Sequence, residues 1–118
     1  MPHCLIEVSR ALENVLDPKE LVALVHEAAM GSELFKPGEV KVRLSLYDHY
    51  SVGGSQSDFI HVIFYLLAGR TDEQKKALSM AVVGALVERL PDVESVSMDV
   101  RDIRREAFSN RRQYLDAR

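Results

Sequence analysis

The 118-residue chain contains a single cysteine, Cys4, so it can form no internal disulfide and supply no multi-thiolate metal cluster. Its core must form without covalent staples. No apolar run reaches the roughly 18–20 residues a membrane helix needs, and no basic segment leads into an apolar signal core. The expectation is a cytoplasmic protein with no membrane partner. The motifs G-x-S-x-G, G-x-G-x-x-G, C-x-x-C and the P-loop are all missing, which removes the common nucleophile-elbow, dinucleotide, redox and phosphate-cradle chemistries. His3, His26, His49 and His61 lack tight ligand spacing, so no metal is expected. A large excess of one charge sign is also lacking. Fifteen basic residues against eighteen acidic ones give a net charge of −3, too mild to predict a polyanionic partner.

That charge is unevenly spread. Residues 101–118 hold Arg101, Arg104, Arg105, Arg111, Arg112 and Arg118 against Asp102, Glu106 and Asp116. The tail therefore carries +3, and residues 1–100 must carry −6 to make the total −3. Only Phe108 and Tyr114 interleave with the arginines, and three acids interrupt them, so packing against a neighbouring subunit is expected in preference to nucleic-acid binding. With 47% hydrophobic and 28% charged residues, the composition is that of a globular protein, and the length fits one domain over residues 1–118.

The periodicity then divides the chain. Cys4, Ile6 and Val8 alternate with Leu5, Glu7 and Ser9, predicting a strand almost at the first residue. Asp17-Pro18-Lys19-Glu20 reads as a helix start, with Leu21, Leu24, Val25, Ala28 and Ala29 on one face and Gly31 as a left-handed exit. Val40, Val42, Leu44 and Leu46 alternate with Lys41, Arg43, Ser45 and Tyr47, a second strand with two unlike faces. Ser51–Ser57, with Gly53-Gly54, predicts a loop or wide hairpin turn. Ile60–Leu67 is almost continuously apolar, as in a central strand covered on both faces. Thr71–Gln74 forms a capping box before a helix with a stripe of Leu78, Ala81, Val82, Ala85, Leu86 and Leu90. Val96, Met98 and Val100 mark a fourth strand. The order is a βαβ unit used twice, each half about fifty residues long. The predicted architecture is an α+β two-layer sandwich, a four-stranded sheet with two helices on one face. The other face would need covering by a second subunit.

Three places could carry chemistry. Proline is small enough as second residue for the initiator methionine to be removed, which would leave Pro2 as a terminal secondary amine. An ordinary α-amino group titrates near ~7.7–8.0; burial and neighbouring cations both lower that by disfavouring the charged form. Neutral near pH 7, such a nitrogen could shuttle a proton, although many Met-Pro chains make no use of it. Arg70, in Ala68-Gly69-Arg70-Thr71 at the end of the third strand, sits beside a helix amino terminus where an anion is favoured. It could equally pair with Asp72 or Glu73. Lys41 and Arg43, two apart on a strand, share a face and could polarise an enolate oxygen or bind a carboxylate. They could also be no more than a solvated face. Cys4 reads as a buried apolar residue.

Met1-Pro2-His3 with Leu5–Ser9, the Val40–Leu44 strand, the Ala68-Gly69-Arg70 turn and the Phe108-Ser109-Asn110 tail together resemble the 5-carboxymethyl-2-hydroxymuconate Δ-isomerases of the tautomerase superfamily. The resemblance runs almost end to end. It implies an isomerase of aromatic-compound catabolism, a homotrimer of tandem βαβ subunits packed around a central barrel, with active sites near subunit interfaces. It further implies Pro2 as the proton-transferring base, Arg70 as the holder of a substrate carboxylate, and a small carboxylate substrate with no cofactor. Where the family carries Arg-x-Arg on its second strand, this chain has Lys41-Val42-Arg43; lysine keeps the charge but not the planar fork. The loop at Gly53-Gly54 is expected near the pocket mouth. Two other readings share the fold. One is a trimeric ligand-binding or interaction protein without turnover. The other, ranked last, is a haloacrylate dehalogenase, which needs an additional acid to activate water; nothing in the sequence singles out Glu7 or Asp48 for that task.

Overall fold

The computed structural model describes residues 1–118 and contains four strands, β1 (His3–Ser9), β2 (Lys41–Tyr47), β3 (Phe59–Leu67) and β4 (Ser95–Ile103). Three helices accompany them, α1 (Pro18–Met30), α2 (Asp72–Arg89) and α3 (Arg111–Ala117). The sheet order is β2-β1-β3-β4, with β1 parallel to β2, β3 parallel to β4 and β1 antiparallel to β3. Two βαβ units thus meet side by side, as the sequence predicts. The sheet end where β1 and β2 begin is the end where β3 and β4 finish.

Alternation decides what each strand contributes. Cys4, Ile6 and Val8 from β1 and Ile60, Val62, Phe64 and Leu66 from β3 are buried beneath Leu21, Val25 and Ala29 of α1 and Leu78, Val82 and Leu86 of α2. Fully burying the Val, Leu, Ile and Phe side chains among them contributes about 1.5–3 kcal/mol each, so this single layer carries most of the hydrophobic stabilisation. Phe35, from the connection after α1, stacks on Phe64 with ring centroids 5.4 Å apart. Helix starts follow the sequence signals: Asp17 accepts from the Lys19 amide at 2.8 Å, and the Thr71–Gln74 capping box is complete.

Several details differ from expectation. Gly31 stays in the right-handed region, with φ −63°, and its amide remains in the helical ladder by donating to the Glu27 carbonyl at 2.9 Å. The left-handed residue is instead Glu33, with φ 62°. Ala81 is exposed and Ala85 half-buried, because the α2 stripe that meets the sheet is the narrower Leu78–Val82–Leu86 row. Strand β4 extends through Arg101 to Ile103, into the arginine-rich segment. That segment then forms a 3-10 turn at Arg105–Ala107 and the third helix α3, which buries no side chain. Gly53 and Gly54, at φ 58° and 89°, make a tight two-residue turn closed by Val52–Ser55 hydrogen bonds of 2.7 and 3.1 Å. Positive φ at both central residues is the geometry that glycine supplies without strain. This turn follows β2 and precedes β3, so within the protomer it lies at the end of the sheet away from Pro2.

One face of the sheet has no helix on it. Across it run the rows Lys41–His3–Tyr65–Arg101, Arg43–Leu5–Ile63–Asp99 and Ser45–Glu7–His61–Ser97. β3 is therefore covered on one side only within the protomer, and His61, Ile63 and Tyr65 are half-buried where full cover was expected. Tyr47 donates to Glu7 Oε2 at 3.0 Å, and His61 Nδ1 lies 2.7 Å from Ser97 Oγ. These bonds satisfy part of an otherwise open surface.

Candidate active site

The topology gathers chemistry at one end of the sheet. Pro2 is buried, and its carbonyl accepts from the Lys41 amide at 3.1 Å, carrying the β1–β2 ladder one residue beyond the strand. Met1 precedes it, and the Met1 amine donates to the Glu39 carbonyl at 3.1 Å. Burial, chiefly, and then the Lys41 ammonium hold that amine below its usual range, with Glu39 opposing them. A nitrogen at this position is thus pressed toward its neutral form by desolvation and by charge.

Lys41 and Arg43 both lie on the open face, as their spacing predicts. Lys41 sits opposite His3, and Arg43 opposite Leu5. Arg43 Nη1 donates to His3 Nδ1 at 3.0 Å, and Lys41 Nζ donates to the Glu39 carbonyl at 3.3 Å. Neither cation forms an ion pair with a carboxylate. The two positive charges therefore remain available to an anionic ligand.

Arg70 also lies at this end, just after β3. It pairs with neither Asp72 nor Glu73: Nη2 donates to the Leu34 carbonyl at 2.8 Å, and the guanidinium lies over the Phe35 ring, 5.4 Å from its centroid. The helix amides beside it are less open than expected, because Thr71 Oγ1 accepts from the Gln74 amide at 3.1 Å and Gln74 Oε1 accepts from the Thr71 amide at 2.9 Å. Core side chains lie between Arg70 and the start of β1: Arg70 covers Phe35, Phe35 stacks on Phe64, and Phe64 pairs with Cys4. Gly69, at φ 133°, gives the turn a backbone conformation that other residues resist, and Arg105 Nε binds the neighbouring Ala68 carbonyl at 2.9 Å.

Other residues fall outside this grouping. Cys4 is fully buried and its thiol is pushed up to about 12, so it is neutral and inert near pH 7. Glu7 lies five residues beyond Pro2, about 16 Å at ~3.3 Å per strand residue, and is occupied by Tyr47. Asp48 is bound by Arg10 at the far end of β2. Neither acid of the dehalogenase reading reaches Pro2 within the protomer. No three His, Cys, Asp or Glu side chains converge as a metal site would require, and no helix is long and apolar enough to cross a membrane. An open cleft of about 540 Å3 is lined by Arg10, Pro18, Lys19, Val22, Leu44 and Leu46, away from Pro2. Another, of about 560 Å3, surrounds Ser55, Asp58 and Asp92. Sequence reading overlooked two contacts, His3 with Arg43 and Asn110 with Met1.

Comparison with known proteins agrees with this architecture. The family model for 5-carboxymethyl-2-hydroxymuconate isomerase matches residues 2–110. No curated protein matches the chain by sequence. Among solved structures, Pt0534 inactivated by 2-oxo-3-pentynoate is 20% identical, with a TM-score of 0.81 and 92% of each chain covered. A 5-carboxymethyl-2-hydroxymuconate isomerase from Deinococcus radiodurans R1 is 19% identical, with a TM-score of 0.76, over 99% of this chain and 94% of that one. A wild-type fused 4-OT, solved as a symmetric trimer, is 21% identical with a TM-score of 0.75, over 98% and 99% of the two chains. These structures share the tautomerase-like fold. The chain belongs to the 5-carboxymethyl-2-hydroxymuconate isomerase family and is an isomerase.

Proposed function

We propose that the protein ketonises a 2-hydroxydienoate of the 5-carboxymethyl-2-hydroxymuconate type, with Pro2 as the base once Met1 has been removed. The neutral imino nitrogen takes the proton from the enol hydroxyl. The resulting negative charge delocalises along the conjugated chain, and the prolinium returns the proton to a distal carbon. The product is the unsaturated 2-oxo acid, and the neutral proline is regenerated. Arg70 holds a carboxylate, its fork set by Leu34 and Phe35. Lys41 or Arg43 stabilises the developing charge or binds the far end of the substrate. The observation that carries this reading is the placement of buried Pro2 at the start of β1, its carbonyl bonded to the Lys41 amide, with Lys41 and Arg43, neither of them in an ion pair, on the adjoining strand.

The assembly in this reading is a homotrimer acting in the breakdown of aromatic compounds. The open sheet face, with Leu5 and Ile63 at its centre, supports an interface there, and the trimeric fused 4-OT has the same fold. A covalent test uses 2-oxo-3-pentynoate, a conjugated ynone. A neutral amine adds to its triple bond while the adjacent carbon takes a proton, so the whole reagent mass is retained. Mass spectrometry should find one adduct on the Pro2 nitrogen of the processed protein, formed faster than any labelling of the protein that retains Met1. Labelling elsewhere, or equal labelling of both forms, contradicts the reading.

A further inference from the structure

Asn110 is locked by its own helix start. Oδ1 accepts from the Gln113 amide at 2.9 Å, while the Asn110 amide donates to Gln113 Oε1 at 3.1 Å. That capping box fixes which end of the side-chain amide is free. Nδ2 turns away from α3 and reaches Met1 Sδ at 2.9 Å, across 109 residues of sequence. A thioether is a weak acceptor, so a half-buried amide donor is spent on a poor partner. Helix α3 buries no side chain, so hydrophobic packing does not explain why its cap is aimed at the amino terminus.

We propose that Asn110 is a substrate-contacting residue, its Nδ2 donating to an oxygen of the 2-hydroxy-acid head beside the enol that Pro2 deprotonates. This assignment rests on the proline-base reading. Removing Met1 empties the space next to the Pro2 nitrogen and frees Nδ2 from the sulfur, leaving a donor beside that space for another oxygen. The substrate oxygen takes the place of the methionine sulfur. The tail thereby supplies a neutral, directional donor, where Lys41, Arg43 and Arg70 supply charge.

The test compares processed wild type with Asn110→Ser and Asn110→Asp, using 5-carboxymethyl-2-hydroxymuconate as substrate. Serine keeps an oxygen for the cap but lacks the donor. Aspartate keeps the cap and presents a carboxylate. The expected result is a KM raised about tenfold by Asn110→Ser, with kcat within about twofold and an unchanged melting temperature. Asn110→Asp should lower kcat/KM by about a hundredfold through repulsion of the substrate carboxylate. Unchanged KM in Asn110→Ser with an active wild type overturns the assignment and leaves the proline reading standing. Losses that track a fall in melting temperature also overturn it, since they indicate a structural cap alone. No turnover by processed wild type removes the proline reading, and this assignment with it.

Discussion

Arg43 donates a 3.0 Å hydrogen bond to His3 Nδ1, joining the second strand to the residue beside Pro2. A guanidinium has donors only, so Nδ1 must be the acceptor and the imidazole is neutral, with its proton on Nε2. Burial, first, and then Arg43 and Lys41 hold His3 below its usual range. The folded state therefore binds this proton more weakly than the unfolded chain does. The stabilisation is complete above about pH 6.5, the unfolded value, and is lost as pH falls from there through the lowered folded value. Arg43→Gln should move the His3 titration upward, followed by the NMR shift of its ring protons, and should flatten stability against pH on the acid side. An unchanged titration contradicts the pairing.

Arg70 should matter for substrate binding far more than for folding. Its guanidinium is anchored by one backbone carbonyl and one aromatic face. Losing a single such bond changes stability by about 1 kcal/mol, whereas losing a charged bidentate contact to a carboxylate costs about 1.5–3 kcal/mol. Arg70→Met should therefore raise KM about ten- to hundredfold in steady-state assays, with a urea midpoint close to wild type. A collapse of stability with normal KM would assign Arg70 a structural role instead.

The uncovered sheet face predicts assembly. Ile63 lies opposite Leu5 and Asp99 at its centre, so a glutamate there would be buried on association beside a like charge, at a cost of several kcal/mol. Sedimentation equilibrium should give three times 13.3 kDa for wild type and the monomer mass for Ile63→Glu. A monomeric wild type contradicts the assembly.

The strands were legible because burial on one face imposes a period of two that little else imitates, as in Val40–Leu46. Both long helices were legible from Asp17 and Thr71, whose side chains satisfy free amides. The exit of α1 was not. Glycine permits a left-handed turn without requiring one, and Glu33 took that conformation. Helix α3 was missed because Arg111–Ala117 has no apolar stripe to bury. Within the site, Lys41 and Arg43 declared their shared face by spacing, and Pro2 drew notice by its chemistry. The His3–Arg43 and Asn110–Met1 contacts join residues 40 and 109 positions apart. Sheet order and tail packing create them, and neither is encoded in a local pattern.

The most direct measurement is the ultraviolet-monitored ketonisation of 5-carboxymethyl-2-hydroxymuconate by three proteins of verified terminal mass: processed wild type, processed Pro2→Ala, and wild type with Met1 retained. General acid–base catalysis by a placed group contributes about 10²–10⁴-fold. The account predicts turnover by the first and at least about a hundredfold loss in the other two. Equal rates in all three would contradict it.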